Sequence, residues 1–307
     1  MTPSHSDPGP VTSSPDTGPE RLFHGLVDDA GLFPPTGLPM AEALRRHRAD
    51  LAGGSPVLTH RFLCLASRLP ELRAHLDFPI RLGLILDTPD VPPLDDLTVE
   101  LVEVPGGRAV ALDIPARQFV EVTAAQLPLD VPPGVGLKIR CGGLTAAAFP
   151  TAHELGSFIA YCAGHGIPFK ATAGLHNAVR HFHPALGADR HGFLNLVLAV
   201  CAAVEGGDPV PVLKTTDVGE LVRLAQAVPD GTAERARRLL VSYGSCSTST
   251  PIEDLQALGL ITGWRTGNAG GRPLGDGAPA TDTTIDTTIE TTTDTDTGTV
   301  AGTEENA

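Results

Sequence analysis

Aromatic residues are scarce: 10 Phe, 2 Tyr and 1 Trp in 307 residues. Basic residues are outnumbered, 22 against 36 acidic, for a formal charge of −14. Duplex binding needs a basic surplus and single-strand binding needs aromatic platforms as well, so no nucleic-acid partner is expected. Long hydrophobic runs are missing too. The longest, Gly192 to Val204, is broken by Asn195 and falls short of the roughly 20 residues of a membrane span, so no membrane partner is expected. No basic segment followed by an apolar one opens the chain, and no signal peptide is expected. The five cysteines (Cys64, Cys141, Cys162, Cys201, Cys246) are odd in number and lack a C-x-x-C pair. That pattern points to free thiols in a cytoplasmic protein, not to a disulfide frame or a zinc site. Neither a glycine-rich dinucleotide fingerprint nor a P-loop occurs, so no nicotinamide or ATP cofactor is expected.

The charge is unevenly spread. Residues 1–20 carry −3 and residues 265–307 carry −6, which leaves −5 of the −14 on 21–264. The first segment is Ser, Pro, Thr, Gly and Asp, too polar to bury a core, and is expected to be disordered. The last is Thr-rich, with Asp282, Asp286, Glu290 and Asp294 at every fourth position. Like charges at that spacing repel and Thr is a mediocre helix former, so a low-complexity disordered tail is expected. The remaining 21–264 fits a single α/β domain.

Within it, short apolar runs alternate with helical patterns. Strands are expected at His60–Ala66, Ile80–Asp87, Thr98–Val104, Ala109–Ile114, Phe119–Thr123, Gly136–Cys141, Pro168–Ala173, Val210–Leu213 and Leu239–Tyr243. Helices are expected at Met40–Leu51, Arg68–Leu76, Thr151–Gly164, Gly192–Glu205, Val218–Val228, Thr232–Arg238 and Pro251–Leu258. Thr151 with Glu154 forms a capping-box signature. Continuous apolar strands between helices argue for a parallel sheet covered on its faces. An irregular (β/α)8, TIM-barrel-like domain is the first expectation, and an open doubly wound parallel sheet the alternative. Residues 98–134 crowd strands together and are where a barrel would be irregular.

The informative strands carry charge inside apolar runs. In Gly136-Leu-Lys-Ile-Arg-Cys-Gly-Gly143 the side chains alternate, so Lys138 and Arg140 share a face. A buried cation needs a partner or an anionic ligand. The terminal Gly142-Gly143 would let a ligand approach the backbone. Pro168-Phe-Lys-Ala-Thr-Ala-Gly-Leu-His176 repeats the pattern with Lys170, and His176 begins the loop. In simple βαβ order the two strands are neighbours. Lys138 and Arg140 would then lower the pKa of Lys170, as nucleophilic attack on a carbonyl requires. Glu121 lies within its strand, and Glu103, Asp113 and Asp87 end theirs. Apolar surroundings should raise their pKa values and suit them to proton transfer, Glu121 above all.

Asp28-Asp29-Ala-Gly-Leu-Phe-Pro-Pro35 is read as a site loop that either holds a divalent cation or pairs with Lys138 or Arg140. His176, His181, His183 and His191 cluster in sequence; His176 and His191 are read as substrate contacts. Ser242-Tyr-Gly-Ser-Cys-Ser-Thr248 runs from a strand into a helix start. It is read as an anion-holding loop that uses Ser242, Gly244 and Ser245. Cys246 is set aside as a nucleophile for want of a positioned base.

Lys170-Ala-Thr-Ala-Gly174, paired with the Lys138 strand, resembles the Lys-x-[Ser/Thr]-x-Gly strand of Schiff-base aldolases of the deoxyribose-phosphate aldolase type. The resemblance spans about 40 residues and implies two cooperating lysines on adjacent barrel strands. That family's acidic proton-relay residues have no clear counterpart. Over most of the core, Asp28–Pro35, Lys138–Gly143, Pro168–His176 and His191-Gly-Phe-Leu-Asn-Leu196 resemble a set of uncharacterised bacterial α/β-barrel-like proteins, which supplies no activity.

Together these features lead to an expected lyase of aldolase type without a cofactor, acting on a small anionic carbonyl compound. Lys170 would be the Schiff-base nucleophile, Lys138 and Arg140 its electrostatic support, and Glu121 the proton carrier. Two alternatives stand beside it. One is a metal-dependent hydrolase or isomerase with Asp28, Asp29, His181 and His183 as ligands of a divalent cation. The other is a non-catalytic binding or assembly protein. Oligomeric state is left open.

Overall fold

The computed structural model describes residues 19–89, 91, 93–106, 109 and 115–262. The chain divides after Ala269 into two units, and every described residue lies in the first. Eight parallel strands close a barrel in chain order. They are β1 (Val27–Asp29), β2 (Leu58–Leu65), β3 (Arg81–Ile85), β4 (Thr98–Val104), β5 (Arg117–Glu121), β6 (Gly136–Arg140), β7 (Phe169–Thr172) and β10 (Leu240–Ser245), which returns to pair with β1. A two-stranded antiparallel hairpin, β8 (His181–His183) and β9 (Ala188–Arg190), lies apart from the barrel sheet. Closure establishes the TIM-barrel-like fold and sets aside the open doubly wound sheet. No helix among the described residues is long and apolar enough to cross a membrane.

The helices are unevenly distributed. α1 (Met40–Gly53) and α2 (Leu69–His75) follow β1 and β2, and α3 (Ala152–His165) links β6 to β7. Between β7 and β10 come four more, α4 (Phe193–Val204), α5 (Val210–Lys214), α6 (Val218–Ala227) and α7 (Asp230–Leu239); α8 (Ser249–Ala257) follows β10. From β3 to β6 the described connections hold only a short 3-10 turn at Ala124–Gln126, which makes this the irregular side expected from the crowded strands. α3 starts where the capping signature places it, with Thr151 and Glu154 bonded reciprocally, and ends on left-handed Gly166. α4 is buried on all sides from Phe193 to Cys201, which accounts for the long apolar run. Its Asn195 is fully satisfied: Oδ1 accepts from the Arg180 amide, and Nδ2 donates to the Val212 and Thr215 carbonyls.

Four expectations are corrected. The strand expected at Val210–Leu213 is α5. Pro211 cannot donate to a sheet ladder but is tolerated in a first helical turn, and Asp208 caps the Val210 amide. The site loop Asp28-Asp29 is a strand, too short for any period to announce it. Pro19 and Glu20 belong to a 3-10 turn, Pro19–Leu22, and Glu20 accepts from the Thr262 amide and hydroxyl. The ordered core therefore opens before residue 21. α8 begins at Ser249, so Pro251 is its third residue instead of its first. Of the expected strand Ala109–Ile114 only Ala109 is described, and it is not in a strand; residues 110–114 with Asp113, and the acidic tail, lie outside the described residues.

β2 carries a local irregularity. Val27 of β1 pairs with Leu58 and Asp29 with Phe62, so β2 spends two more residues than β1 on the same interval. His60, at φ 55, takes up the excess.

Candidate active site

Consecutive residues of β1 face opposite sides of the sheet. Asp28 points into the barrel and Asp29 out toward α1. Thr59 and Arg61, on either side of the β2 irregularity, both reach Asp28, at 2.6 and 2.7 Å from Oδ1. Its other oxygen meets Lys170 of β7 and accepts from Ser242 of β10 at 2.7 Å. Burial opposes the carboxylate charge, but Lys170 and Arg61 outweigh it and draw the Asp28 pKa from 3.8 to about 2.

From Asp28 the charges alternate upward toward the carboxyl ends of the strands. Lys170 Nζ lies 3.2 Å from Glu103 of β4, whose other oxygen is 2.5 Å from Lys138 Nζ. Lys138 also meets Glu121 of β5 at 3.0 Å, and Arg140 follows at 3.8 Å. Lys138 and Lys170 are register partners on adjacent strands, as the two charged runs suggest. Their ammonium groups do not act on one another bare, because Glu103 bridges them. Burial, which disfavours the ammonium, is outweighed at Lys138 by Glu103 and Glu121, and its pKa is raised. Glu103 and Asp87 move oppositely to expectation. Burial would raise Glu103, but Lys138 and Lys170 hold it below the ordinary value. Hydrogen bonds from Ser67 likewise overcome burial at Asp87 and lower it.

Above this array lies a cavity of about 540 Å³ at the carboxyl ends of the strands. Its charged lining is Lys138, Glu121, Arg140, Asp87 and Arg190 of the β8–β9 hairpin. Lys138 is 5% exposed and reaches the cavity; Lys170, 1% exposed, is sealed beneath it and does not line it. Arg190 was not singled out from sequence, since nothing in Ala-Asp-Arg marks a site. Its guanidinium stacks over the Phe149 ring at 6.0 Å, its Nε is buried without a partner, and no carboxylate pairs with it among the described residues.

The other expected residues separate. His176 lines the cavity, as does Gly244. His191 does not: it is fully buried, with Nε2 2.7 Å from the Pro150 carbonyl oxygen and Nδ1 3.2 Å from Arg180, and burial lowers its pKa. It braces the start of α4. The Ser242–Thr248 loop spends its hydroxyls on the protein, Ser242 on Asp28, Ser245 on the Ser247 carbonyl and Thr248 on Asp50. These hydroxyls are committed to the protein, while Gly244 and Cys246 of the same segment line the cavity. Gly142 does not open a ligand path either; a side chain there would meet Gly174 Cα at 2.7 Å, so these glycines let β6 and β7 touch.

The four residues of the metal alternative are not brought together. Asp28 is committed as described, and Asp29 is held by Arg46, by His47 at 3.0 Å and by the Gly31 amide. His181 lines a separate surface depression beside Asn177 and Asp254. No group of three or more metal-ligating side chains occurs among the described residues. Comparison with protein-family models, curated proteins and solved structures finds no match.

The feature that sequence reasoning rejected is Cys246. Its sulfur lies 3.5 Å from His176 Nδ1, a contact across 70 residues of chain, and both side chains line the cavity. The base that the sequence lacks near Cys246 is supplied from the end of β7.

Proposed function

We propose that the protein is an enzyme acting on a small anionic carbonyl compound, an oxo-acid or a sugar phosphate, through a Schiff-base lysine. The observation that carries this reading is the composition of one cavity. It holds a lysine in contact with a carboxylate, Lys138 with Glu121, together with a cation that pairs with no carboxylate among the described residues, Arg190. Lys138 takes the role of nucleophile, because among the two array lysines it is the one that reaches the cavity. Lys170 and Asp28 form its buried support. Arg190, with Arg140 at 54% exposure on the rim, attracts the anionic group and orients the carbonyl toward Lys138.

The resting ion pairs favour the ammonium, so the free amine has to be produced in place. Substrate filling the cavity displaces water from Lys138 and Glu121. In a drier setting a neutral amine and carboxylic acid gain on the charged pair. The amine then attacks the carbonyl carbon, Glu121 returns its proton to the departing oxygen, and water leaves as the imine forms. Carbon–carbon or carbon–oxygen cleavage follows from the electron-withdrawing imine, which makes the expected reaction that of a lyase.

A second reading has one observation in its favour: every interior lysine is already paired, as in a barrel that only binds its ligand. One experiment separates the two. Borohydride reduction with a panel of oxo-acids and sugar phosphates should add a mass at Lys138, and Lys138→Met should abolish it. No adduct with any panel member, or one confined to Lys214, the one lysine of the chain outside the barrel array, overturns the enzymatic reading.

A further inference from the structure

The cavity holds a second nucleophile–base pair, Cys246 and His176, which follow β10 and β7. Five cysteines are buried, but they are not equivalent. Cys64, Cys141, Cys162 and Cys201 belong to the apolar core, and burial pushes the thiols of Cys64, Cys141 and Cys201 up to about 12 and raises Cys162 as well. Cys246 alone among them faces the cavity. His176 Nδ1 lies 3.5 Å from its sulfur, and Thr36 adds hydrogen bonds from its side chain and backbone. Its main chain is fixed as well, since Arg46 donates to the Cys246 carbonyl at 2.8 Å. Burial would raise this thiol, but the bonds from His176 and Thr36 more than offset it and bring it from 9.0 to about 7.

We propose that Cys246 is a reactive thiol of the cavity that captures small aldehydes or oxo-acids as a hemithioacetal, with His176 as its proton carrier. The sulfur–carbon bond forms as the carbonyl π pair moves onto oxygen. The proton that His176 took from the thiol passes to that oxygen, so nothing is oxidised and nothing leaves. The inference rests on the reading that the cavity admits carbonyl compounds, but it does not require Lys138 to react.

Iodoacetamide alkylation of the native protein, followed by peptide mass spectrometry, tests it. Cys246 should be alkylated while the four core thiols remain intact, with a rate that rises through a midpoint near pH 7. His176→Ala, with His176→Gln as the second variant, should move that midpoint toward 9 and slow alkylation at pH 7. The thiolate fraction falls about fifty-fold while its intrinsic reactivity rises, so the net slowing is about five- to ten-fold. Glyoxylate, used as the carbonyl probe, should protect Cys246, and the protection should persist in Lys138→Met. Alkylation of Cys246 no faster than of the core thiols, or a rate indifferent to both His176 variants, overturns the proposal. So does absence of protection in Lys138→Met. Failure of the Schiff-base reading alone leaves selective, His176-dependent alkylation in place.

Discussion

Asp28 and Asp29 are consecutive, both buried and both paired with cations, yet they anchor two different constructions. Asp28 draws its partners from β2, β7 and β10, strands that meet only when the barrel closes. From it a row of alternating charges climbs through Lys170, Glu103 and Lys138 to the cavity. Asp29 bonds to its own following turn at Gly31 and to Arg46 and His47 on the next helix. It fastens α1 and, through Arg46, the loop of Cys246. A buried ion pair is therefore no marker of a site by itself; what distinguishes Asp28 is continuity with a cavity.

The largest effect that separates the two regions should appear on truncation. Asp28→Ala removes the buried carboxylate that Lys170 and Arg61 share, leaving Lys170 with Glu103 and Arg61 with Glu100 alone, and should cost about 3–5 kcal/mol in urea denaturation. Asp29→Ala should cost about 1–3 kcal/mol, because Arg46 is 24% exposed and can turn to water. Equal losses would erase the distinction. Acid comes next. With its folded pKa depressed to about 2, Asp28 contributes stability that is fully present above its unfolded value near 3.8. That contribution, about 2 kcal/mol, is lost as pH falls from about 4 toward 2. Asp28→Asn should flatten this part of the pH–stability curve; an unchanged acid limb would show that other carboxylates govern it. The smallest effect is that of Ser242→Ala, which removes one of several donors to Asp28 and should cost about 1 kcal/mol. A loss as large as that of Asp28→Ala would mean that the hydroxyl, not the ion pairs, holds the array.

Much of the barrel is legible in the sequence because its strands are continuous apolar runs whose alternation forces Lys138 and Lys170 inward on neighbouring strands. The capping box of α3 is equally local and equally legible. What escapes is whatever depends on closure. Lys170 and Asp28 lie 142 residues apart, and Cys246 and His176 lie 70 apart, so neither pairing leaves a local trace. The direction of the Glu103 shift escapes for the same reason: burial alone predicts a rise, and only the two lysines facing it reverse the sign. Three-residue β1 is too short for periodicity, and Arg190 gains meaning only from the Phe149 ring beneath it. His191 misleads because proximity to a helix start in sequence says nothing about which side of the helix it faces.

The surplus in β2 has a consequence of parity. Side chains alternate with period two, and the excess over β1 is also two, so the strand leaves the irregularity in the same phase in which it entered. Arg61 still faces Asp28, Leu63 and Leu65 still line the cavity, and Phe62 still meets His47 of α1. Loss of a single residue near His60 would invert that phase, sending the arginine toward the helices and a phenylalanine into the charged row. Loss of two would preserve it and remove one donor. At this point of the chain the specification is an even number, and residue identity comes second.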